Sequence, residues 1–181
     1  MKIDPDIFSS GQIASKLWLC DRLEKLNWVS DITHIYGGWQ GILGFLLLTR
    51  EKFAVGKIKS FDIDSDCQPI ADTINENFVW QNWKFKAYTA NCDYVDPREA
   101  DLTINTSTEH FATDLWFERL PKGRRVILQG NNMNHNDHQS SILSLDDFKS
   151  RYLLTDIIYC NQMQFEYPTW GFSRFMLIGI K

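Results

Sequence analysis

Residues 32–50, which contain the run THIYGGWQGILGFLLLTR, constrain this chain more than any other stretch. Strand-forming residues lead into Gly37, Gly38 and Gly41, an apolar segment suited to a buried helix follows, and a second strand pattern ends in SFDIDSD at residues 60–66. Strand, glycine turn, helix and strand in that order make the opening unit of a nucleotide- or nucleoside-binding α/β sheet. Glycines let the backbone approach a ligand, and an acid at the end of the second strand can receive ribose hydroxyls. The spacing narrows the ligand. Trp39 and Ile42 stand where a G-x-G-x-x-G fingerprint needs its second and third glycines, so a dinucleotide pyrophosphate would meet an indole. The Lys-Ser/Thr ending of a phosphate-cradling loop is missing as well, and nothing calls for a triphosphate. What remains is a turn suited to an uncharged or zwitterionic ligand.

Strand and helix patterns alternate along the rest of the chain, as an α/β sheet requires. The pattern predicts a first helix over Ser10 to Trp28, with Ile13, Leu17, Cys20, Leu23 and Leu26 near helical spacing. Strands are expected over Ile32 to Tyr36, up to Asp62, over Phe85 to Thr89, Leu102 to Asn105 and Arg125 to Gln129. Further helices are expected from about Gln40, from Ser65 to about Asn77 with the serine as cap, around Leu115 to Leu120, and over Leu145 to Tyr152. The last two strand-like runs, Asp156 to Phe165 and Phe172 to Ile180, are joined by EYPTWG. That leaves no room for a crossover helix, so they must pair antiparallel.

Gly37 and Gly41, the acid at Asp62 and the closing hairpin together resemble the class I S-adenosylmethionine-dependent methyltransferases. Their first loop reads acid-x-Gly-x-Gly-x-Gly, and their last strand runs against the others. Trp39 departs from that pattern at the middle glycine and Ile35 at the acid. The stretches INTSTEHF, VILQGNN and SRFMLIGIK are also similar to small methyltransferase-like proteins of bacteriophages. The resemblance covers about Ile32 to Lys181. It implies a Rossmann-like three-layer sandwich with a mostly parallel seven-stranded sheet closed by a C-terminal antiparallel hairpin. It implies S-adenosylmethionine as cofactor, bound by Tyr36, Gly37, Gly38 and Gly41 of the first loop. Asp62 would take the ribose hydroxyls, Ile63 would pack on adenine, Asn91 would meet the adenine amino group, and Asn105 would lie beneath the sulfonium. Each of these residues also has a local reading. Asp62 and Asp64 can be turn acids before a helix, and asparagine is common at strand ends.

At 181 residues the chain suits one domain able to bury a full core, with residues 1–30 as an N-terminal helical cap and 31–181 as the core. Cys20, Cys67, Cys92 and Cys160 form no CxxC pair, which argues for reduced thiols and a cytoplasmic protein rather than a zinc or disulfide framework. MKIDPDIFSSGQ lacks a signal-peptide core and the apolar run around Phe45 to Leu48 is too short to span a bilayer, so no membrane partner is expected. A formal net charge of −4 without a Lys/Arg block argues against an extended nucleic-acid surface.

Chemistry is expected on NTSTEH at residues 105–110. Glu109 and His110 could act as general base or orient a small-molecule or nucleotide-like acceptor, or they could simply open a solvated helix. The loop GNNMNHNDH brings Asn131, Asn132, His135, Asp137 and His138 to the same sheet edge. His135 and His138 have no third ligand at a supporting spacing, so a polar loop over the substrate is expected and no metal. A lyase or alkyl-transferring enzyme on the same cofactor remains an alternative, as does a binding module without catalysis. Trp18, Trp28, Trp80, Trp83 and Trp116 read as packing residues, whereas Tyr167 and Trp170 read as exposed aromatics or as hairpin closure.

Overall fold

A computed structural model of the chain describes residues 2–50, 55–78 and 82–181. Seven strands, β1 (Ser30–Tyr36), β2 (Val55–Asp62), β3 (Phe85–Thr89), β4 (Leu102–Asn105), β5 (Arg125–Asn131), β6 (Asp156–Glu166) and β7 (Gly171–Ile180), form one sheet. Their order is β3-β2-β1-β4-β5-β7-β6. The first five strands are parallel, and β7 pairs antiparallel with both β5 and β6. The expected closing hairpin is therefore present. This is the Rossmann-like methyltransferase fold, with the strand order reversing between β1 and β4.

Period-two alternation sorts the strand residues into two cores. Ile35, Ile58, Ile104, Ile127, Met176 and Ile178 face the helices α1 (Ser10–Leu26), α2 (Ile42–Leu48) and α3 (Cys67–Ile74). Tyr36, Phe61, Val126, Leu128, Phe175 and Leu177 face α4 (Leu115–Glu118) and α5 (Leu145–Arg151). Both faces of the parallel strands are thus covered, as such sheets require. At the opposite end from the glycine turn, Asp101 accepts hydrogen bonds from Ser30 Oγ and from the amides of Asp31 and Ile32, and pairs with Arg125 at 2.9 Å. One carboxylate thereby fixes the starts of β1, β4 and β5 relative to one another.

Several element ends differ from the sequence reading. The first helix stops at Leu26 because Asn27 takes a left-handed conformation at φ 50°. Its buried face holds Lys16, Trp18, Leu19, Cys20 and Leu23, while Ile13 and Leu17 are only half-buried. The second helix starts at Ile42 rather than Gln40, since residues 38–41 close a turn in which the Gly41 amide donates to the Gly38 carbonyl. The third begins at Cys67 without a side-chain cap, so Ser65 does not serve as one, and it ends at Ile74. A separate 3₁₀ turn follows over Glu76–Phe78. Trp18 and Trp116 are buried and Trp28 and Trp83 half-buried, as packing residues; Trp80 lies outside the described residues. Tyr167 and Trp170 stack at 4.4 Å and close the hairpin, with half of Trp170 exposed. No helix among the described residues is long and apolar enough to cross a membrane.

Gly41 has φ +82°, and a Cβ placed there would lie 3.0 Å from the Ala71 Cα on α3. Gly123 has nearly the same φ, +81°, but open space around it. Gly41→Ala is therefore expected to destabilise the fold by about 2 to 4 kcal/mol, combining backbone strain with overpacking. Gly123→Ala should cost only about 1 kcal/mol. Chemical denaturation of both variants compares them, and equal losses would show that contact with α3 does not set the Gly41 requirement.

Candidate functional site

The reversal of strand order opens a cleft of about 680 Å³ at the carboxyl ends of β1, β2, β4 and β5. That volume lies within the range of pockets that hold a nucleoside-sized molecule, and the position is where open α/β sheets bind ligands. One wall is the glycine turn. Gly37 adopts φ +63°, and a Cβ on it would collide with Ser107 Oγ at 2.5 Å, so only glycine lets β1 exit this close to the loop after β4. Trp39 follows in the left-handed region at φ 48° and lines the cleft with its half-buried side chain.

Asp62 faces this turn. Its Oδ2 accepts the Trp39 amide at 2.8 Å and its Oδ1 accepts the Asp64 amide at 3.1 Å. The carboxylate is a turn acid and a cleft wall at once. Burial raises its pKa, and the amides of Asp64, Trp39 and Ile63 oppose that rise. Ile63 beside it is 71% exposed, an apolar side chain presented to the cleft. Asn91 also lines the cleft, although its Oδ1 is engaged by the Asp93 amide as cap of a 3₁₀ turn over Cys92–Tyr94.

The far end of the cleft is polar and largely buried. Glu109 sits in a 3₁₀ turn over Thr108–His110 with 1% exposure. Its Oε1 accepts from Asn131 Nδ2, while its Oε2 has no partner among the described residues. Burial pushes the Glu109 carboxyl up to about 7, against the pull of Arg174 and Lys16. Lys16, on the core face of α1, is 8% exposed and donates to Gln12 Oε1 at 2.5 Å; burial, aided by Arg174, pushes its amine down to about 7. Arg174 projects from β7, donates to the Thr106 carbonyl at 3.1 Å and leaves its Nε without a partner among the described residues. The loop after β5 folds back over this end, because the Gln139 and Ser140 amides both donate to the Glu109 carbonyl, at 2.8 and 3.1 Å. That tie places His138 against His110, with ring centroids 4.8 Å apart. Desolvation lowers the pKa of both imidazoles.

Gly37, Gly38, Asp62, Ile63, Asn91, Glu109 and His110 thus come together around one cleft. Three expected residues do not present their side chains to it. Tyr36 points into the second core against Phe61 and Trp116, since β1 alternation turns it away from Ile35. Gly41 lies against α3, where a Cβ would meet Ala71. Asn105 is fully buried, and its Oδ1 holds the Ser107 amide. Of the later loop, His135, Asp137 and His138 line the cleft, whereas Asn132 bonds across to Ser173 on β7. The sequence reading also omitted Lys16 and Arg174. Lys16 lies three and four residues before Leu19 and Cys20, on the face that α1 buries, and Arg174 interrupts the apolar strand SRFMLIGIK; both were visible as charges in buried patterns.

No protein-family model matches the sequence, and no curated protein does. Solved structures match the fold along almost its whole length. N-methyltransferase NodS from Bradyrhizobium japonicum WM9, in complex with S-adenosyl-L-homocysteine, aligns at TM-score 0.69 and 9% identity over 96% of this chain and 90% of that one. Magnesium protoporphyrin IX methyltransferase (ChlM) from Synechocystis PCC 6803, with bound S-adenosylmethionine, aligns at 0.65 and 11% over 93% and 80%. The small RNA methyltransferase HEN1 aligns at 0.66 and 12% over 99% of this chain and 27% of its own. At these identities the likeness establishes the fold.

Lys16 and Glu109 give the stability curve a shape that can be measured. Glu109, raised from 4.5, adds stability that is complete below its unfolded pKa and is lost as pH rises through about 7. Lys16, lowered from 10.5, adds stability that is complete above its unfolded pKa and is lost as pH falls through about 7. The two limbs meet in a minimum near neutrality. Lys16→Met should flatten the alkaline limb and Glu109→Gln the acidic limb, each by an amount on the order of 1 to 3 kcal/mol. Denaturant unfolding from pH 5 to 10 in chelator-treated buffer reads both limbs; identical curves for wild type and variants would show that these groups do not titrate differently on folding.

Proposed function

We propose that the cleft binds S-adenosylmethionine and that the chain transfers the cofactor's methyl group to a small-molecule or nucleotide-like acceptor held at the Glu109 end. The observation that carries this reading is the opposition of Asp62 and exposed Ile63 to the Gly37–Gly38 turn across one cleft. An acid with spare lone pairs suits paired ribose hydroxyls, and an adjacent exposed aliphatic suits an adenine face. The likeness in fold to chains solved with S-adenosylmethionine and S-adenosylhomocysteine supports the same ligand.

Methyl transfer asks mainly for position: the acceptor nucleophile must lie in line with the sulfonium, away from competing water. The loop tied to the Glu109 carbonyl covers the polar end of the cleft, and Lys16, Arg174, Glu109 and His110 supply donors and acceptors to orient an acceptor there. A non-catalytic interaction module that retains the sheet but has lost the cofactor is the second reading, favoured by Trp39 at the middle-glycine position and by Ile35, a buried aliphatic, at the acid position.

Calorimetry with S-adenosylhomocysteine separates the two, because an empty scaffold gives no heat of binding. Asp62→Asn, which keeps one acceptor oxygen for the turn, should weaken binding by about 1.5 to 3 kcal/mol, or roughly 10- to 150-fold, with a native-like thermal transition. Unchanged affinity in that folded variant would defeat the ribose role. Glu109→Gln should bind S-adenosylhomocysteine normally yet transfer labelled methyl to a small-molecule extract about 10²- to 10⁴-fold more slowly. Loss of binding in Glu109→Gln would instead put Glu109 in the cofactor half of the cleft.

A further inference from the structure

We propose that Glu109, His110 and His138 form a site for one divalent ion of the zinc type at the inner end of the cleft, with coordination positions left open toward an acceptor. Each residue offers a ligand atom, and the three atoms lie within 4.8 Å of one another. Tetrahedral zinc needs donors about 3.3 Å apart, given metal–ligand bonds of about 2.0 to 2.1 Å. The shortfall falls on two imidazoles that are exposed or half-exposed, so ring rotation closes it without moving the sheet. The third donor is already fixed. Glu109 is 99% buried by its neighbours, with Asn131 holding Oε1 and with Oε2 unpartnered among the described residues while its side chain lines the cleft.

The surroundings fit a built site. Asn131 is itself 2% exposed and anchored, since its Oδ1 accepts the Met133 amide at 2.9 Å, so the carboxylate is oriented by a second layer of bonding. His138 is delivered by the two amides that clamp the loop on the Glu109 carbonyl and by its own amide, which donates to the His135 carbonyl at 3.1 Å. Two imidazoles and one carboxylate, with a free position, are a donor set of catalytic zinc and of neighbouring first-row ions rather than of magnesium. Lys16 and Arg174 line the same cleft, and their positive charge argues for a single ion here. It also favours an anionic acceptor group bound between ion and guanidinium. The methyl-transfer reading supplies the acceptor, but the ion site stands on these residues alone.

The test is a Zn²⁺ titration of the chelator-treated full chain at neutral pH, without cofactor, followed by calorimetry. One saturable site that excess Mg²⁺ does not displace is expected. Outer-layer partners alone are worth about 10- to 100-fold in metal affinity, so His110→Ala and His138→Ala should each weaken binding by at least about tenfold. His135→Ala, whose Nδ1 already accepts the Asp137 amide, should leave affinity essentially unchanged. Absence of one-to-one uptake, or uptake that survives both His110→Ala and His138→Ala, would overturn the proposal. Co²⁺-loaded wild type gives a readout that needs no variant: visible d–d bands of a low-coordinate N/O site support it, and a spectrum of the hydrated ion refutes it. S-adenosylhomocysteine titrated into the same preparation keeps the two readings apart. Cofactor binding without Zn²⁺ uptake sinks only the ion site, and the reverse sinks only the cofactor assignment.

Discussion

The reversal of strand order between β1 and β4 is the constraint on which everything else rests. Because β1 pairs in parallel with β2 on one side and β4 on the other, the chain must leave its carboxyl end in one direction and return from the opposite one. The loops after the two strands therefore diverge, and the space between them cannot be filled by backbone. Gly37 lets β1 turn away where a Cβ would meet Ser107 Oγ at 2.5 Å, and Asp101 holds the other ends of β1 and β4 in register. A rigid floor with a gap above it follows from these two devices. The groups around the gap then come from strand ends and the loops after them, joined by Lys16 from α1 and Arg174 from β7, and the loops can change in composition without altering the sheet.

Much of the sheet was legible in the sequence because each strand advertises itself locally. The bounds of β3 and β4 coincide with the runs of β-branched, aromatic and apolar residues at 85–89 and 102–105, and the six-residue link EYPTWG forces the hairpin. The site was less legible because its members are distant in sequence and joined by backbone bonds that no residue type encodes. His138 reaches Glu109 only because two amides of the intervening loop find one carbonyl. A spacing rule applied to His135 and His138 looks along the chain for a third ligand, while the geometry supplies His110 and Glu109 from another strand end. Gly41 shows the converse. It takes a positive φ and packs against Ala71 on α3, and one sequence cannot tell such a packing demand from close approach to a ligand.

Trp39 bears on both the fold and the cofactor. A non-glycine residue at φ 48° costs on the order of 1 to 3 kcal/mol, which persists only if the surroundings fix it. Here the fixing bond is visible: the Trp39 amide is held by Asp62 at 2.8 Å, and residues 38–41 are closed by their own turn bond. The backbone at position 39 thus keeps a shape that glycine would adopt freely, and the substitution changes what fills the cleft rather than how the chain turns. In a nucleoside-binding role the indole becomes part of the wall beside the ligand.

The inner end of the cleft carries the opposite kind of cost. Glu109 Oε2 and Arg174 Nε are both buried without partners among the described residues, and an unsatisfied buried polar group costs about 1 to 3 kcal/mol, more when charged. Lys16 adds a third ionisable group in the same compartment, so two cations and one acid are gathered where an apolar core would be more stable. Sequence drift toward stability would remove them, since replacing such groups with aliphatic side chains of similar size is commonly neutral or stabilising. Their joint presence is economical only if an occupant completes their bonding. A cation on the carboxylate and imidazoles, together with an anionic group on Arg174 and Lys16, satisfies both orphaned atoms at once, which a neutral apolar acceptor does not.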